Sequence, residues 1–396
     1  MAPVNVRWRT TTLGDACPIS SRKAEEFEGE RPYYATGSVG ALGQLLGKPE
    51  LVTFAERPSR AGCMPKAGDV GFARMKGTKK VIRIDEALDG ALFSTGFCFL
   101  APSAGVDPDF VFYFIASDEF QRRKDAAAGA GIMGGLRNAD ASRIPIKLPS
   151  LPEQQRIVGI LDRAFEGIAT AKANTEKNVQ NTRALFDSYR RRVFAERDSG
   201  WEERRLADVS VDFGRGRSRH RPRNAKKLYG GSYPFIQTGD VRNAKHVITA
   251  YSQTYSEEGL AQSKLWPKGT LCITIAANIA ETGILGFDAC FPDSIIGMVV
   301  DDSRAEVKYV EYLLQSYKVL LQAQGKGSAQ DNINLGTFEN QTFPFPDLQA
   351  QQAIVRKLDQ LRRETERLEH IYEEKSSALN AMEEAVLHRA TSWGVR

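Results

Sequence analysis

The sequence has 396 residues, 42% hydrophobic and 26% charged, which is too long for one ordinary core and suits two domains plus connecting elements. A net charge of +5 permits an anionic partner without demanding one, while five dispersed cysteines with no CxxC pair and only four histidines argue against a disulfide framework or a metal site. No apolar run of membrane-spanning length occurs and the first residues lack the apolar core of a signal peptide, so a cytoplasmic protein with no membrane partner is expected.

Residues 1–148 read as a mixed α/β part. It opens on Trp8, Leu13 and Asp15, passes Thr36-Gly37 and the basic stretch Arg74, Lys76, Lys79 and Lys80, and reaches a β-rich run over Leu92–Leu100. One helix about Phe110–Asp125 and a Gly-rich loop, Gly129–Asn138, close it. Residues 149–198 then form a long helix. Ser150 is its candidate N-cap, with Glu153 three residues on in a capping-box pattern. Its stripe Ile157, Leu161, Ala164, Ile168, Ala171, Thr175, Asn178, Thr182, Leu185, Tyr189 alternates steps of four and three, a heptad seam.

The plan then repeats. Residues 199–345 form a second mixed α/β part, opening on Trp201, Leu206 and Asp208, with Thr238-Gly239, a β-rich run Leu271–Ala276, a helix about Val307–Ala323 and a Gly-rich loop Gly325–Asn334. Residues 346–396 form the second long helix. Pro149–Asp162 aligns without gaps on Pro346–Asp359, and Asp347 takes the place of Ser150. The second stripe is Ile354, Leu358, Leu361, Thr365, Leu368, Tyr372, Lys375, Leu379, Met382, Val386. Identical spacing favours two helices that pack on each other, each about 60 Å long at ~1.5 Å per residue. The alternative is a pair of amphipathic helices, each packed on its own domain.

Motifs that resemble catalytic ones lack their contexts. Gly129-Ala130-Gly131-Ile132-Met133-Gly134 follows a helix rather than a strand, and Asp212-Phe213-Gly214 has no accompanying kinase signatures. No GxxxxGK loop and no GxSxG occur, so no catalytic residue is expected. Candidates for DNA contact are clearer. Arg215, Arg217, Arg219, Arg221 and Arg223 alternate, which aligns all five on one side of an extended strand and suits phosphates. Arg74, Lys76 and Lys79 are the nearest counterpart in the first copy. The loops after each domain helix offer Arg137 and Asn138, and Lys326, Gln330, Asn332 and Asn334; Asn and Gln suit adenine edges. Against each stands the reading of a solvated basic loop or a common turn.

These features together resemble the specificity (S) subunit of type I restriction–modification systems. The matching elements are the tandem plan of recognition domain and long helix, the Trp-x4-Leu-x-Asp openings, the Thr-Gly stretches and the helix starts Leu151-Pro152-Glu153-Gln154-Gln155 and Leu348-Gln349-Ala350-Gln351-Gln352. The second start departs from the first at Gln349-Ala350. The resemblance implies an α+β fold: two target-recognition domains in tandem, each followed by a long helix, the helices pairing as an antiparallel coiled coil with pseudo-twofold symmetry. Pairing would run through Ile157, Leu161, Ile168, Leu185 and Tyr189, and through Ile354, Leu358, Leu361, Leu368, Leu379, Met382 and Val386. It also implies a non-catalytic chain that reads a bipartite target on double-stranded DNA, with helices that set the spacing and dock two modification subunits. S-adenosylmethionine, ATP and magnesium would reside on those subunits and on the restriction subunits, with no cofactor on this chain. Two other readings stand beside it: a helical spacer that binds proteins without reading DNA, and the recognition chain of a related methyltransferase–nuclease outside type I.

Overall fold

The computed structural model describes residues 8–129, 134–196, 200–276, 279–326, 333, 335–339 and 341–392. The chain forms two compact units, one of residues 1–176 with 373–396 and the other of residues 177–372. This division falls inside both long helices, so each unit holds one globular part and a portion of each helix. Cutting the sequence at 148/149, 198/199 and 345/346 instead sets the helices apart from the globular parts. The contacts do not respect that cut, because each globular core is completed by helix side chains: Ile157, Val158, Leu161 and Leu387 in the first unit, and Phe194, Val355 and Leu358 in the second.

In the first unit the described strands make two four-stranded sheets. One runs Ile19–Ser20, Phe97–Leu100, Val70–Ala73, Val81–Arg83; the other runs Glu50–Val52, Arg31–Tyr34, Leu92–Ser94, Ala61–Cys63. The run Leu92–Leu100, expected as one β-rich element, is therefore two strands in two sheets. The turn at Thr95-Gly96 separates them, and a Cβ on Gly96 would stand 2.7 Å from the Thr36 hydroxyl, which would have to rotate away. The expected helix Phe110–Asp125 is also divided, into Pro108–Ala116 and Asp118–Ala127. Ser117 divides it: its hydroxyl donates to the Phe114 carbonyl (2.6 Å) and accepts from the Phe120 amide (3.2 Å). Asp118 and Glu119 then sit in the first turn, where their charge favours a helix start. The counterpart Ser316 is followed by Tyr317 rather than by acids, and its helix, Val307–Lys326, runs unbroken.

The second unit repeats the scheme with a larger sheet. Ser210–Arg215, Ile295–Val300, Leu271–Thr274, Thr282–Leu285 and Val247–Ile248 form one sheet; Gln253–Tyr255, Tyr229–Phe235, Ala289–Cys290 and Leu265–Trp266 form the other. The parallel pair Tyr33 with Leu92 is matched by Phe235 with Cys290. Each globular part begins and ends on a two-stranded antiparallel clasp, Arg9–Thr12 with Pro145–Leu148 and Glu202–Arg205 with Thr342–Phe345.

The long helices are Leu151–Ala195 and Leu348–Ser392. Their starts explain the repeated Gln-Gln motif. Gln154 is buried; its Oε1 accepts from the Asp107 amide (2.9 Å) while its Nε2 donates to the carbonyls of Pro149 (2.9 Å) and Gly105 (3.3 Å). Gln351 repeats all three bonds, with the Glu306 amide (3.0 Å) and the Pro346 (2.9 Å) and Arg304 (3.3 Å) carbonyls. Two turns on, Tyr113 donates to Asp162 (2.6 Å) and Tyr312 to Asp359 (2.7 Å). Each long helix is thus fastened twice to its own domain helix. The expected capping box does not form at Glu153, whose carboxylate is held by Arg156 at 2.7 Å; Asp347 does cap, accepting from the Ala350 amide at 2.8 Å.

The helices touch each other within each unit. Lys172 pairs with Glu383 in the first, and Arg183 with Glu369 (3.2 Å) in the second, so one helix ascends as the other descends. Ile157, Leu161, Ile168 and Leu358 are buried, and Tyr189, Ile354, Leu361, Leu379 and Val386 are half-buried along the expected stripe. Leu185 (57% exposed), Leu368 (41%) and Met382 (53%) are not. Their neighbours Phe186, Glu369 and Glu383 take the inward place. A 3.6-residue helix drifts by about 20° per heptad against a strict 3.5 repeat, and here Phe186 enters the second core while the two glutamates enter ion pairs.

Candidate nucleic-acid interface

The alternating arginines lie on the end of strand Ser210–Arg215 and the loop that follows it. Arg215, Arg217, Arg219, Arg221 and Arg223 are all exposed, with Gly216 and Ser218 buried between them. Several bonds hold this backbone. The Gly216 amide donates to the Ile295 carbonyl (2.9 Å), and a Cβ there would stand 2.3 Å from the Phe291 carbonyl oxygen, so only glycine allows the approach. The Ser263 hydroxyl donates to the Arg217 carbonyl (2.9 Å), Gln262 accepts from the His220 amide (3.0 Å), and the Tyr229 hydroxyl donates to the Arg223 carbonyl (2.8 Å).

The five side chains are not equivalent. Arg223 pairs with Asp293 (2.8 Å), Arg215 donates to the Asp293 carbonyl (2.7 Å), and Arg221 donates to the Ser218 (2.7 Å) and His220 (2.9 Å) carbonyls. Arg217 and Arg219 hold no side-chain hydrogen bond or ion pair among the described residues. Only these two present a guanidinium with every donor open.

In the first unit the two candidate segments come together. The Leu136 amide donates to the Arg74 carbonyl (3.0 Å), and the Lys76 amide to that of Gly134 (3.1 Å). Arg74 was expected to face DNA, yet it is a brace. Its guanidinium donates to the carbonyls of Phe97 (2.8 Å) and Leu136 (3.2 Å) and to the Asn138 side chain (2.6 Å), which occupies Asn138 as well. Lys79 is paired with Asp118 at 2.9 Å. Lys76 and Arg137 remain exposed, the latter bonded to Asp140 at 3.0 Å.

Sequence reasoning missed Lys124, whose side chain is wholly buried under this turn and donates to the Met75 (3.2 Å) and Thr78 (2.6 Å) carbonyls. Burial pulls its pKa below the ordinary lysine value, opposed by Asp125 at 3.3 Å. Its place on the polar helix Asp118–Ala127 gave no signal of this.

Arg74–Lys80 is also not the counterpart of the arginine loop. Strand Val70–Ala73 holds the place of Leu271–Thr274, and the Ile333 amide donates to Ile275 (3.2 Å) as Leu136 does to Arg74. Residue 74 thus corresponds to Ile275. The arginine loop corresponds to the residues after Ile19–Ser20, where Arg22 is tied to buried Asp69 at 2.7 Å. The two units carry their open cations on different elements. Gln330, Asn332 and Asn334 lie outside the described residues, as does the side chain of Lys326.

Among the described residues no group of three or more His, Cys, Asp or Glu is placed to hold a metal ion, and no helix is long and apolar enough to cross a membrane.

Known proteins share this architecture. The family described as "Type I restriction modification DNA specificity domain" matches residues 5–181 and again residues 198–374. The type I restriction enzyme StySPI specificity subunit of Salmonella potsdam is 22% identical over 352 residues, 81% of this chain and 73% of that one. The EcoR124I/EcoR124II specificity subunit of Escherichia coli is 24% identical over 244 residues, 57% of this chain and 56% of that one. Among solved structures, the HsdS subunit from Thermoanaerobacter tengcongensis is similar over 99% of both chains, with a TM-score of 0.66 and 22% identity. A chain from a study of complex assembly and conformational transition of the type I R-M system is similar over 99% of this chain and 100% of its own, with a TM-score of 0.78 and 23% identity.

Proposed function

Because this chain belongs to the type I restriction modification DNA specificity family, with the matching domain present twice, we propose that each unit reads one half of a bipartite target on double-stranded DNA. The long helices set the number of unspecified base pairs between the halves and dock two methyltransferase subunits. The chain itself is not catalytic. S-adenosylmethionine is held by the methyltransferase subunits, and ATP and magnesium by the restriction subunits. The observation that carries this reading is the repeated fastening of helix to domain through Gln154 and Gln351, with open cations Arg217 and Arg219 on one domain and Lys76 on the other.

The test is methylation mapping of DNA from cells that make this chain with the methyltransferase subunits. A bipartite adenine-methylated motif is expected. One heptad is then inserted into each long helix at the boundary of the two units, after Glu176 and after Tyr372. The seam keeps its phase and each helix lengthens by about 10 Å at ~1.5 Å per residue. The spacer between the half-sites should change while both half-site sequences persist. An active variant with a fixed spacer and one altered half-site would mean that the helices read DNA themselves.

A further inference from the structure

The second unit contains a cavity of about 400 Å³ whose lining includes none of the loop arginines. It lies between the first long helix, at Asp187, Arg190 and Arg191, and the domain residues Arg242, Glu281, Thr282, Gln315 and Lys318. Its two carboxylates are already matched: Asp187 by Arg190 at 2.9 Å and Glu281 by Lys318 at 2.8 Å. Arg191 and Arg242 add positive charge on the same wall, and Arg362 approaches from the second helix, donating to the same Gln315 oxygen (3.4 Å) that accepts from Arg190 (3.1 Å). Two guanidiniums converge on one neutral acceptor.

Arg190 is the telling residue. Its side chain is 15% exposed, stacked against Phe186, and its Nε is buried with no hydrogen-bond partner among the described residues. Burial and the neighbouring Arg362 and Arg191 lower its pKa from the ordinary value, opposed by Asp187. Nothing in the shared scaffold requires this. The equivalent residue of the second helix is buried Leu387, and the domain positions matching Gln315 and Lys318 are Ala116 and Glu119. One copy buries a leucine at this position; the other places there an arginine whose Nε is buried without a partner among the described residues, at the edge of a basic hollow.

We propose that this cavity binds a phosphate oxyanion, held by Arg190 and Arg191 with Arg242 at the rim. Guanidinium N–H groups suit phosphate oxygens. The phosphate comes from one of two sources, a backbone phosphodiester of bound DNA or free inorganic phosphate.

The test uses the full chain with two variants: Arg190→Leu, the side chain the other copy already buries, and Arg191→Gln on the exposed rim. Inorganic phosphate is titrated by calorimetry at constant ionic strength, and the salt dependence of duplex-DNA binding is measured in parallel. If the source is free phosphate, the parent chain binds it, both variants bind at least about tenfold more weakly, and the DNA salt slope is unchanged. If the source is the DNA backbone, the slope falls by about 0.9 in each variant, whether or not free phosphate binds. A parent chain that binds phosphate no better than both variants, with unchanged slopes, overturns the proposal. The site does not depend on the arginine loop reading DNA: should the chain bind no DNA at all, loss of phosphate binding in the variants still decides it.

Discussion

Replacing Arg217 and Arg219 together by alanine isolates the two guanidiniums that are left open among the five alternating arginines. Each released phosphate contact lowers the slope of log K against log salt by about 0.9, so the double variant should lose about 1.8 from its slope. Between about 50 and about 200 mM salt the parent chain should then lose about twelvefold more affinity than the variant. Arg223→Ala is the internal control, because Asp293 at 2.8 Å already neutralises that charge; its slope should fall by less than half of one contact's worth. The assay is fluorescence anisotropy of a labelled duplex over a salt series, with circular dichroism to confirm the fold. Backbone bonds from Ser263, Gln262 and Tyr229 hold the loop independently of the two deleted side chains, so the fold should not change. An unchanged slope in the double variant, or an equal fall in Arg223→Ala, would refute the distinction between open and paired arginines.

Gln351→Met removes three buried hydrogen bonds, at about 1 kcal/mol each, and should cost about 3 kcal/mol. Calorimetry should show Tm lowered by about 6–12 °C for a unit of this size, with Gln154→Met behaving alike. Arg74→Ala should raise amide exchange at Leu136 by about tenfold, since its guanidinium braces that loop; unaltered protection would show the brace to be idle. Burial pushes the thiols of Cys17 up to about 12 and Cys98 up to about 11, so the folded chain keeps protons that the unfolded chain releases near about 8.5. Stability should be level below that pH, then fall as pH rises through the folded values. Iodoacetamide at pH about 8 should spare both thiols and reach half-buried Cys63 first.

The helices were legible because their information is periodic and stated twice. A gapless repeat with four-three steps leaves few alternatives, and the paired glutamines mark where each helix is fastened. The sheets were not legible, because strands such as Val81–Arg83 are three residues long and buried on both faces, so alternation says nothing about order. Ser117 shows how one hydroxyl divides a helical run, apolar before it and polar after it, that sequence reading takes as one helix. Leu185, Leu368 and Met382 show the reverse error: a strict repeat selects the hydrophobic residue, while the folded helix turns Phe186 and two ion-paired glutamates inward. At the candidate interface, sequence spacing picked out five exposed arginines, of which only Arg215 lies in a strand. It could not tell Arg217 from Arg223, because Asp293 lies 70 residues away.

The clasps Arg9–Thr12 with Pro145–Leu148 and Glu202–Arg205 with Thr342–Phe345 bring the first and last strands of each globular part side by side. Adjacent strand partners are only about 5 Å apart, so everything between them is, geometrically, one large loop grafted onto a hydrogen-bonded base. A loop with touching ends can be lengthened, shortened or exchanged without moving what lies outside it. The first part spans 132 residues between its clasp strands, from Leu13 to Ile144, and the second carries a larger sheet on an equivalent base. Any replacement that preserves the two clasp strands, the glutamine and tyrosine fastenings and the apolar surface that the helix side chains enter would attach to the same helices. The molecule is therefore modular at its joints.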